Sequence, residues 1–579
     1  MVAGASGAPG RGHLRGGAHP RRHGTAGQPG AGPRAGRAEG PEPRPRRLGH
    51  RGREPLVVES SPASRSDPGS LRRGPLGGAG LWPGRDDPAE RGDVVDPVGG
   101  WTPAPHRGGA LVSAVTLQVA PRRTRVDDSL SVRIEGLTPY APADLVVTTT
   151  DGALRVWTSR SAFRADSEGV IDLTRDAPLT GSSYAGVDPT GPLWSVVGDG
   201  TALFRKQRAT PLQYRFAVEL GTAGEVAVVD AVVRHFGHRV VEESVAEPGI
   251  VGTVHRPGDR QPRPAVLLLG GSDGGSLNHA ASLLADEGYV VLALAYFGVE
   301  DRPPTLAGID LDDIDGAVSW LLARPDVTGA QIAAVGISRG AELALQLASD
   351  NPRVGAVVAV APSALRQPGL TTNFSDFTHA AWVRGAVPLP FNGSKLGMRD
   401  WLGSAWGMLR RRPMRQVESF REDLRHPDRV RRAGIAVERC TGPLLLVSGE
   451  DDQLWPSAEF ADLILARLHA HGRVELAEDL RYARVGHFVA FPMGIPGMPP
   501  SIDLSPTSFF SIDFGGERAE HAAAAVNAWV RQLDFLDRWR SGLDPAPPAL
   551  DGLPMSTAML DDLHPAPAGV SGAAERRTR

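Results

Sequence analysis

Gly336-Ile337-Ser338-Arg339-Gly340 sets a serine between two glycines in the pattern G-x-S-x-G. That pattern suits a nucleophilic hydroxyl carried on a sharp turn from a strand into a helix. A second match, Gly270-Gly271-Ser272-Asp273-Gly274, lies upstream. With 70 glycines in 579 residues, roughly half a chance match is expected in a chain of this size, so the setting of each must decide. Ser338 directly follows the apolar run "IAAVGI" and directly precedes "RGAELALQLASD", which has the spacing of an amphipathic helix. This is the strand–turn–helix context that the chemistry needs, and the helix N-terminus adds partial positive charge nearby. Ser272 also follows an apolar run, but Asp273-Gly274-Gly275 come next and no helical pattern begins for several residues. A glycine-rich loop there suits backbone N–H groups that stabilise a developing oxyanion. Ser338 is therefore read as the nucleophile. The backbone of Gly271, Ser272 and Asp273, with that of Arg339, is read as the oxyanion site; an ordinary tight turn is the plainer reading of the loop.

A serine hydroxyl needs a base, and the base needs an orienting acid. "LLLVSGEDDQLWP" supplies two adjacent acids just past an apolar run. The spacing of Gly449, two residues, then Asp selects Asp452, with Asp451 as the alternative. Downstream, "ARVGHFVAF" places His487 after a glycine between apolar runs, in the order Ser, acid, His. His487 is read as the base. His471, His521, His279 and His235 lack that setting and are read as structural, and Cys440, which lies just before an apolar run, as packing.

The elements that must hold these residues are legible as a change of rhythm. Between residues 115 and 240, short alternating runs such as "VTLQVAP", "LSVRIEGL" and "LQYRFAVEL" predict a small immunoglobulin-like β-sandwich. From residue 250 to 543, continuous apolar runs alternate with helical patterns. These are "AVLLLG" (265–270), "VVLALAYF" (290–297), "IAAVGI" (332–337), "AVVAVAP" (356–362) and "LLLVSG" (444–449). Such alternation predicts a mostly parallel sheet with helices on both faces. A Trp-, Arg- and Pro-bearing stretch over 364–434 interrupts the order and is read as a candidate lid. "ERAEHAAAAVNAWVRQLDFLDRW" predicts the closing helix.

Composition narrows the classes. The net charge of −3 argues against a general affinity for nucleic acid or anionic membrane. One cysteine permits no intrachain disulfide and argues against a cysteine-based metal site. No apolar run approaches the ~20 residues of a membrane span, and no apolar segment follows the N-terminal Arg pairs as a signal peptide would require. A cytoplasmic enzyme is expected. Residues 1–110 are rich in Arg, Pro and Gly without apolar periodicity and are read as a disordered extension, or as translated upstream sequence with the true start near Val112. Residues 544–579 are read as a disordered tail.

With these residues aligned, the chain resembles the acyl-CoA thioesterase/bile acid-CoA:amino acid N-acyltransferase family over about residues 115–540. "GVDPTGPLWSV" (186–196) resembles a segment of that family's β-sandwich, and "GISRGAEL" its nucleophile elbow. "SGEDDQLWPS" resembles its acid loop, "VGHF" its histidine loop and "FGGERAEHAAAAVNAW" its last helix. The resemblance implies a β-sandwich followed by an α/β-hydrolase domain, and acyl transfer from a CoA thioester. The acyltransferase branch carries cysteine as nucleophile and the thioesterases carry serine, so Ser338 points to hydrolysis of acyl-CoA to free acid and CoA. Transfer to an amino acid and hydrolysis of oxygen esters or lactones are the alternatives. CoA enters as part of the substrate, and no metal or organic cofactor is expected. Its phosphates would suit arginine, and Arg410, Arg411, Arg412 and Arg415 are candidates. The 364–434 stretch is longer than the resemblance to the animal enzymes leads one to expect.

Overall fold

Four inner strands of the central sheet carry no polar side chain, and a fifth carries only Ser448, because both their faces are covered. The structure, a computed structural model, describes residues 114–543 apart from 199–202, 260, 373–376, 394–411, 491–494, 497–498 and 504–510. The expectations for residues 1–110 and 544–579 lie outside the described residues, as do Arg410 and Arg411.

The central sheet has eight strands. They are β1 (Val240–Glu247), β2 (Ile250–Pro257), β3 (Ala265–Leu269), β4 (Val290–Leu294), β5 (Ile332–Ile337), β6 (Val354–Val360), β7 (Leu444–Gly449) and β8 (Ala477–Tyr482). Their spatial order is β1-β2-β4-β3-β5-β6-β7-β8. β1 and β2 pair antiparallel, and β2 runs antiparallel to β4; every later pairing is parallel. The helices are α1 (Asn278–Asp286), α2 (Leu311–Leu322), α3 (Arg339–Asp350), α4 (Ser457–Ala470) and α5 (Arg518–Arg540). This is an α/β-hydrolase fold with β5 near the centre of the sheet.

Successive strand residues enter opposite cores. Leu267, Leu269, Leu292, Leu294 and Ala334 pack with α2, α3 and α4. Val266, Leu268, Val291, Val335 and Val358 pack with α1 and α5. The second core does not end at the helices. It continues into Leu145, Trp157, Phe163, Phe216 and Phe236 of a preceding β-sandwich. That sandwich joins a three-stranded sheet (Thr116–Ala120, Ser131–Glu135, Ile171–Asp172) to a five-stranded one. The larger sheet has the order Arg123–Arg125, Glu225–His235, Leu212–Glu219, Pro142–Thr150, Val156–Arg164. Polar ties reinforce the junction. Arg125 pairs with Asp286 at 3.3 Å and with Glu287, and Trp529 Nε1 donates to Asp127 at 3.1 Å.

β1, β2 and β8 were not expected from the sequence. β1 is largely exposed and β8 half-buried throughout, so neither carries the continuous apolar run that marks the inner strands. The described parts of the 364–434 stretch contribute two short strands, Trp382–Arg384 and Val387–Pro388, and two short helices, Val417–Leu424 and Pro427–Ala433. Trp382–Arg384 pairs with Ile309–Asp310 just before α2.

Candidate active site

The turn from β5 into α3 takes a single residue. Ser338 has φ 56° and ψ −119°, a conformation that an L-residue holds only where its surroundings fix it. Its N–H donates to Val360 O at 2.8 Å, tying it to β6. Both flanking glycines are required by close approach. A Cβ on Gly336 would lie 2.1 Å from Gly340 O, and one on Gly340 would lie 2.3 Å from Leu269 O and 2.4 Å from Gly270 O. The elbow is thus pressed against the end of β3.

Ser338 Oγ lies 2.9 Å from His487 Nε2, and His487 Nδ1 lies 2.9 Å from Asp452 Oδ2. The three residues are 8%, 3% and 2% exposed for Ser338, His487 and Asp452. Oδ1 of Asp452 accepts the backbone N–H groups of Leu454 (3.0 Å) and Trp455 (3.1 Å), which fixes the carboxylate's orientation. Asp451 points elsewhere: its Oδ2 accepts from Gly516 N at 2.9 Å and its Oδ1 from Gln453 Nε2 at 2.7 Å. Trp455, Phe488 and Phe514 surround the imidazole, with ring centroids at 5.3, 6.0 and 6.0 Å. Such an apolar wall keeps water from competing for the hydrogen bonds.

Of Gly271, Ser272 and Asp273 in the loop after β3, Gly271 is buried and faces the elbow: its Cβ position would be 3.6 Å from Ser338 Cβ. Ser272 and Asp273 are exposed. Among the described residues, no acceptor takes the N–H of Gly271, Ser272 or Arg339, and Arg339 opens α3, where such groups have no intrahelical partner. The loop is held from behind by Tyr296, whose buried hydroxyl donates to Gly270 O at 2.6 Å. Sequence reasoning missed that tether because Tyr296 lies one strand away.

The Arg339 side chain turns inward. Its guanidinium lies 3.3 Å from Glu342 and donates to Pro368 O at 3.1 Å. Glu342 is fully buried, accepts from Trp382 Nε1 and from Gln367 N (3.0 Å), and burial pushes its pKa up. This network joins the first turn of α3 to the start of the 364–434 stretch. Of the arginines considered for phosphates, Arg415 is paired with Asp513 at 2.8 Å and Arg412 is exposed. Cys440 is buried. Among the described residues, no group of three or more His, Cys, Asp or Glu side chains could hold a metal ion, and no helix is long and apolar enough to cross a membrane.

A β-sandwich followed by an α/β-hydrolase sheet, with a serine elbow on β5, defines a class of hydrolases. Within it, the pattern described as "BAAT / Acyl-CoA thioester hydrolase C terminal" matches residues 309–540, and "Acyl-CoA thioester hydrolase/BAAT N-terminal region" matches residues 127–247. The chain is 31% identical to acyl-coenzyme A thioesterase 1 of Mus musculus over 439 residues, covering 73% of this chain and 96% of that protein. It is 31% identical to the mitochondrial acyl-coenzyme A thioesterase 2 of Mus musculus, covering 73% and 89%. It is 30% identical to the peroxisomal succinyl-coenzyme A thioesterase of Mus musculus, covering 73% and 97%. The chain belongs to the acyl-CoA thioester hydrolase/BAAT family.

Proposed function

We propose that the protein hydrolyses acyl-CoA thioesters through an acyl-enzyme on Ser338. The observation that carries this reading is the unbroken hydrogen-bonded chain from Ser338 Oγ through His487 to Asp452, on a strand-to-helix elbow. The choice of thioester rests on the relatives, which are named for acyl-CoA hydrolysis.

In the proposed reaction, His487 Nε2 takes the Ser338 hydroxyl proton as Oγ attacks the acyl carbonyl carbon. Asp452 keeps the other ring proton on Nδ1 and stabilises the imidazolium. The N–H groups of Gly271 and Arg339 receive the oxyanion, with those of Ser272 and Asp273 as further donors. Collapse breaks the C–S bond, and the CoA thiolate leaves with the proton from His487. Water then attacks the ester, giving its proton to His487; the C–O bond to Ser338 breaks, the acid departs and Oγ regains its proton. Every step is assigned to this chain's own groups, and none calls for a metal or organic cofactor. The cytoplasm is the proposed location, although relatives include mitochondrial and peroxisomal proteins.

The test is a panel of acyl-CoAs of graded chain length, read by release of free thiol, with glycine and taurine added in parallel and matched oxygen esters as a third arm. Thiol and free acid in equal amounts are expected. N-acyl amino acid as the main product, or turnover of oxygen esters alone, would replace the reading with a transferase or an esterase.

A further inference from the structure

His521 is a buried histidine that the proposed reaction does not use. It lies on the first turn of α5 and is 3% exposed. Its Nε2 accepts the Gly486 N–H at 3.1 Å, and its Nδ1 lies 3.2 Å from Phe488 O. Gly486 and Phe488 are the two neighbours of His487. A nitrogen that accepts from a backbone N–H carries no proton of its own, so the ring proton is on Nδ1, where it faces the Phe488 carbonyl. The neutral ring therefore bridges the backbone on both sides of His487. Burial holds its pKa below the ordinary histidine value, in keeping with that form.

The surrounding glycines make room for this bridge. Gly516 has φ +78°, and a Cβ there would lie 2.1 Å from His521 Nε2 and 2.4 Å from Gly486 N. The Gly516 N–H is the group that Asp451 accepts. On the other side, His487 N donates to Phe514 O at 2.8 Å, and Asp451 N donates to Val485 O at 3.1 Å. The acid loop, the histidine loop and the start of α5 are thus one hydrogen-bonded unit, and His521 is the side chain that reaches the residues on both sides of His487.

We propose that His521 is a positioning residue for His487: it fixes the 486–488 backbone so that the imidazole meets Ser338 and Asp452 together. The proposal rests on reading His487 as the base. A histidine present only to fill space would need neither ring nitrogen matched to the base's neighbours.

His521→Leu keeps the bulk and removes both hydrogen bonds. His521→Gln puts an amide oxygen near the place of Nε2, within reach of the Gly486 N–H, whereas the shorter His521→Asn puts an amide N–H near the place of Nδ1, within reach of the Phe488 carbonyl alone. Misplacing a reacting group by about 1 Å can cost ~100-fold. The Leu variant should therefore lose roughly 10- to 100-fold in kcat, with KM changed less than about two-fold, and Gln and Asn, each keeping one of the two bonds, should each recover part of the loss. The rate at which a fluorophosphonate labels Ser338 should fall and recover in the same order, and this readout needs no acyl-CoA. If the wild type labels but turns over no acyl-CoA, the substrate reading fails while labelling rates still test His521. Labelling of a folded Leu variant at the wild-type rate would overturn the positioning role, as would losses in Gln and Asn as large as that in Leu. Should the Leu variant not fold, the Gln and Asn variants decide: slower labelling in both supports the role, and wild-type rates in both overturn it.

Discussion

The chain writes G-x-S-x-G twice, on neighbouring parallel strands, and folds the two copies differently. After β5 the backbone turns within one residue and α3 begins at Arg339. After β3, residues 270–277 pass before α1 begins at Asn278. Ser338 is buried and bonded to His487; Ser272 is exposed. The copies nevertheless interlock, since Gly340 packs on the Leu269 and Gly270 carbonyls while Gly271 faces Ser338. The five-letter pattern therefore specifies neither role. In the proposed reaction the chemistry of the first copy falls to its backbone and that of the second to its side chain, and the distance to the next helix separates them.

The strongest way to break this contrast is Ser338→Ala. Turnover should fall by roughly 10⁵-fold or more, toward what binding and oxyanion donors alone supply. An initial-rate assay that found Ser338→Ala active would dissolve the distinction between the copies. Next in size is the acid. Asp452→Asn should cost roughly 10³- to 10⁴-fold, because an amide no longer enforces the Nδ1–H tautomer of His487. Asp451→Asn should stay within about ten-fold, since its amide oxygen can still accept from Gly516. The opposite ranking in kcat would move the orienting role to Asp451.

The glycines sharpen the contrast through stability. Gly340→Ala puts a methyl against two backbone carbonyls that cannot yield, and overpacking of this kind costs roughly 3 kcal/mol or more. Gly275 has φ +71° but open space around its Cβ position, so Gly275→Ala should cost only ~1 kcal/mol from backbone strain. Thermal melts should rank them so; equal effects would mean that the elbow's fit is looser than the distances state. Smallest is Ser272→Ala, which leaves the loop's N–H groups in place and should lose at most ~10-fold in kcat.

What was legible in the sequence follows from the range of each interaction. The elbow shows because the apolar run of β5, the glycines and the amphipathic α3 are contiguous. The inner strands show because burial on both faces leaves an unbroken apolar run. The outer strands β1 and β8 do not, because β1 is largely exposed and β8 only half-buried along its length, so neither needs an apolar run. Asp451 and Asp452 are neighbours on one turn, and only their partners, Gly516 and His487, separate them. Tyr296 and His521 support the site through bonds to backbone groups about 25 and 35 residues away in sequence, which leave no local periodicity. The merging of the sandwich core with one face of the sheet is equally invisible, since each element reads as amphipathic whatever it packs against.

The central claim is that Ser338 carries the acyl group. A brief pulse of acyl-CoA, acid quench, digestion and mass spectrometry would test it. The account predicts the acyl mass on the peptide containing Ser338, its absence from Ser338→Ala and its persistence in Ser272→Ala. Acyl mass on the peptide containing Ser272, or on no serine while turnover proceeds, would contradict it.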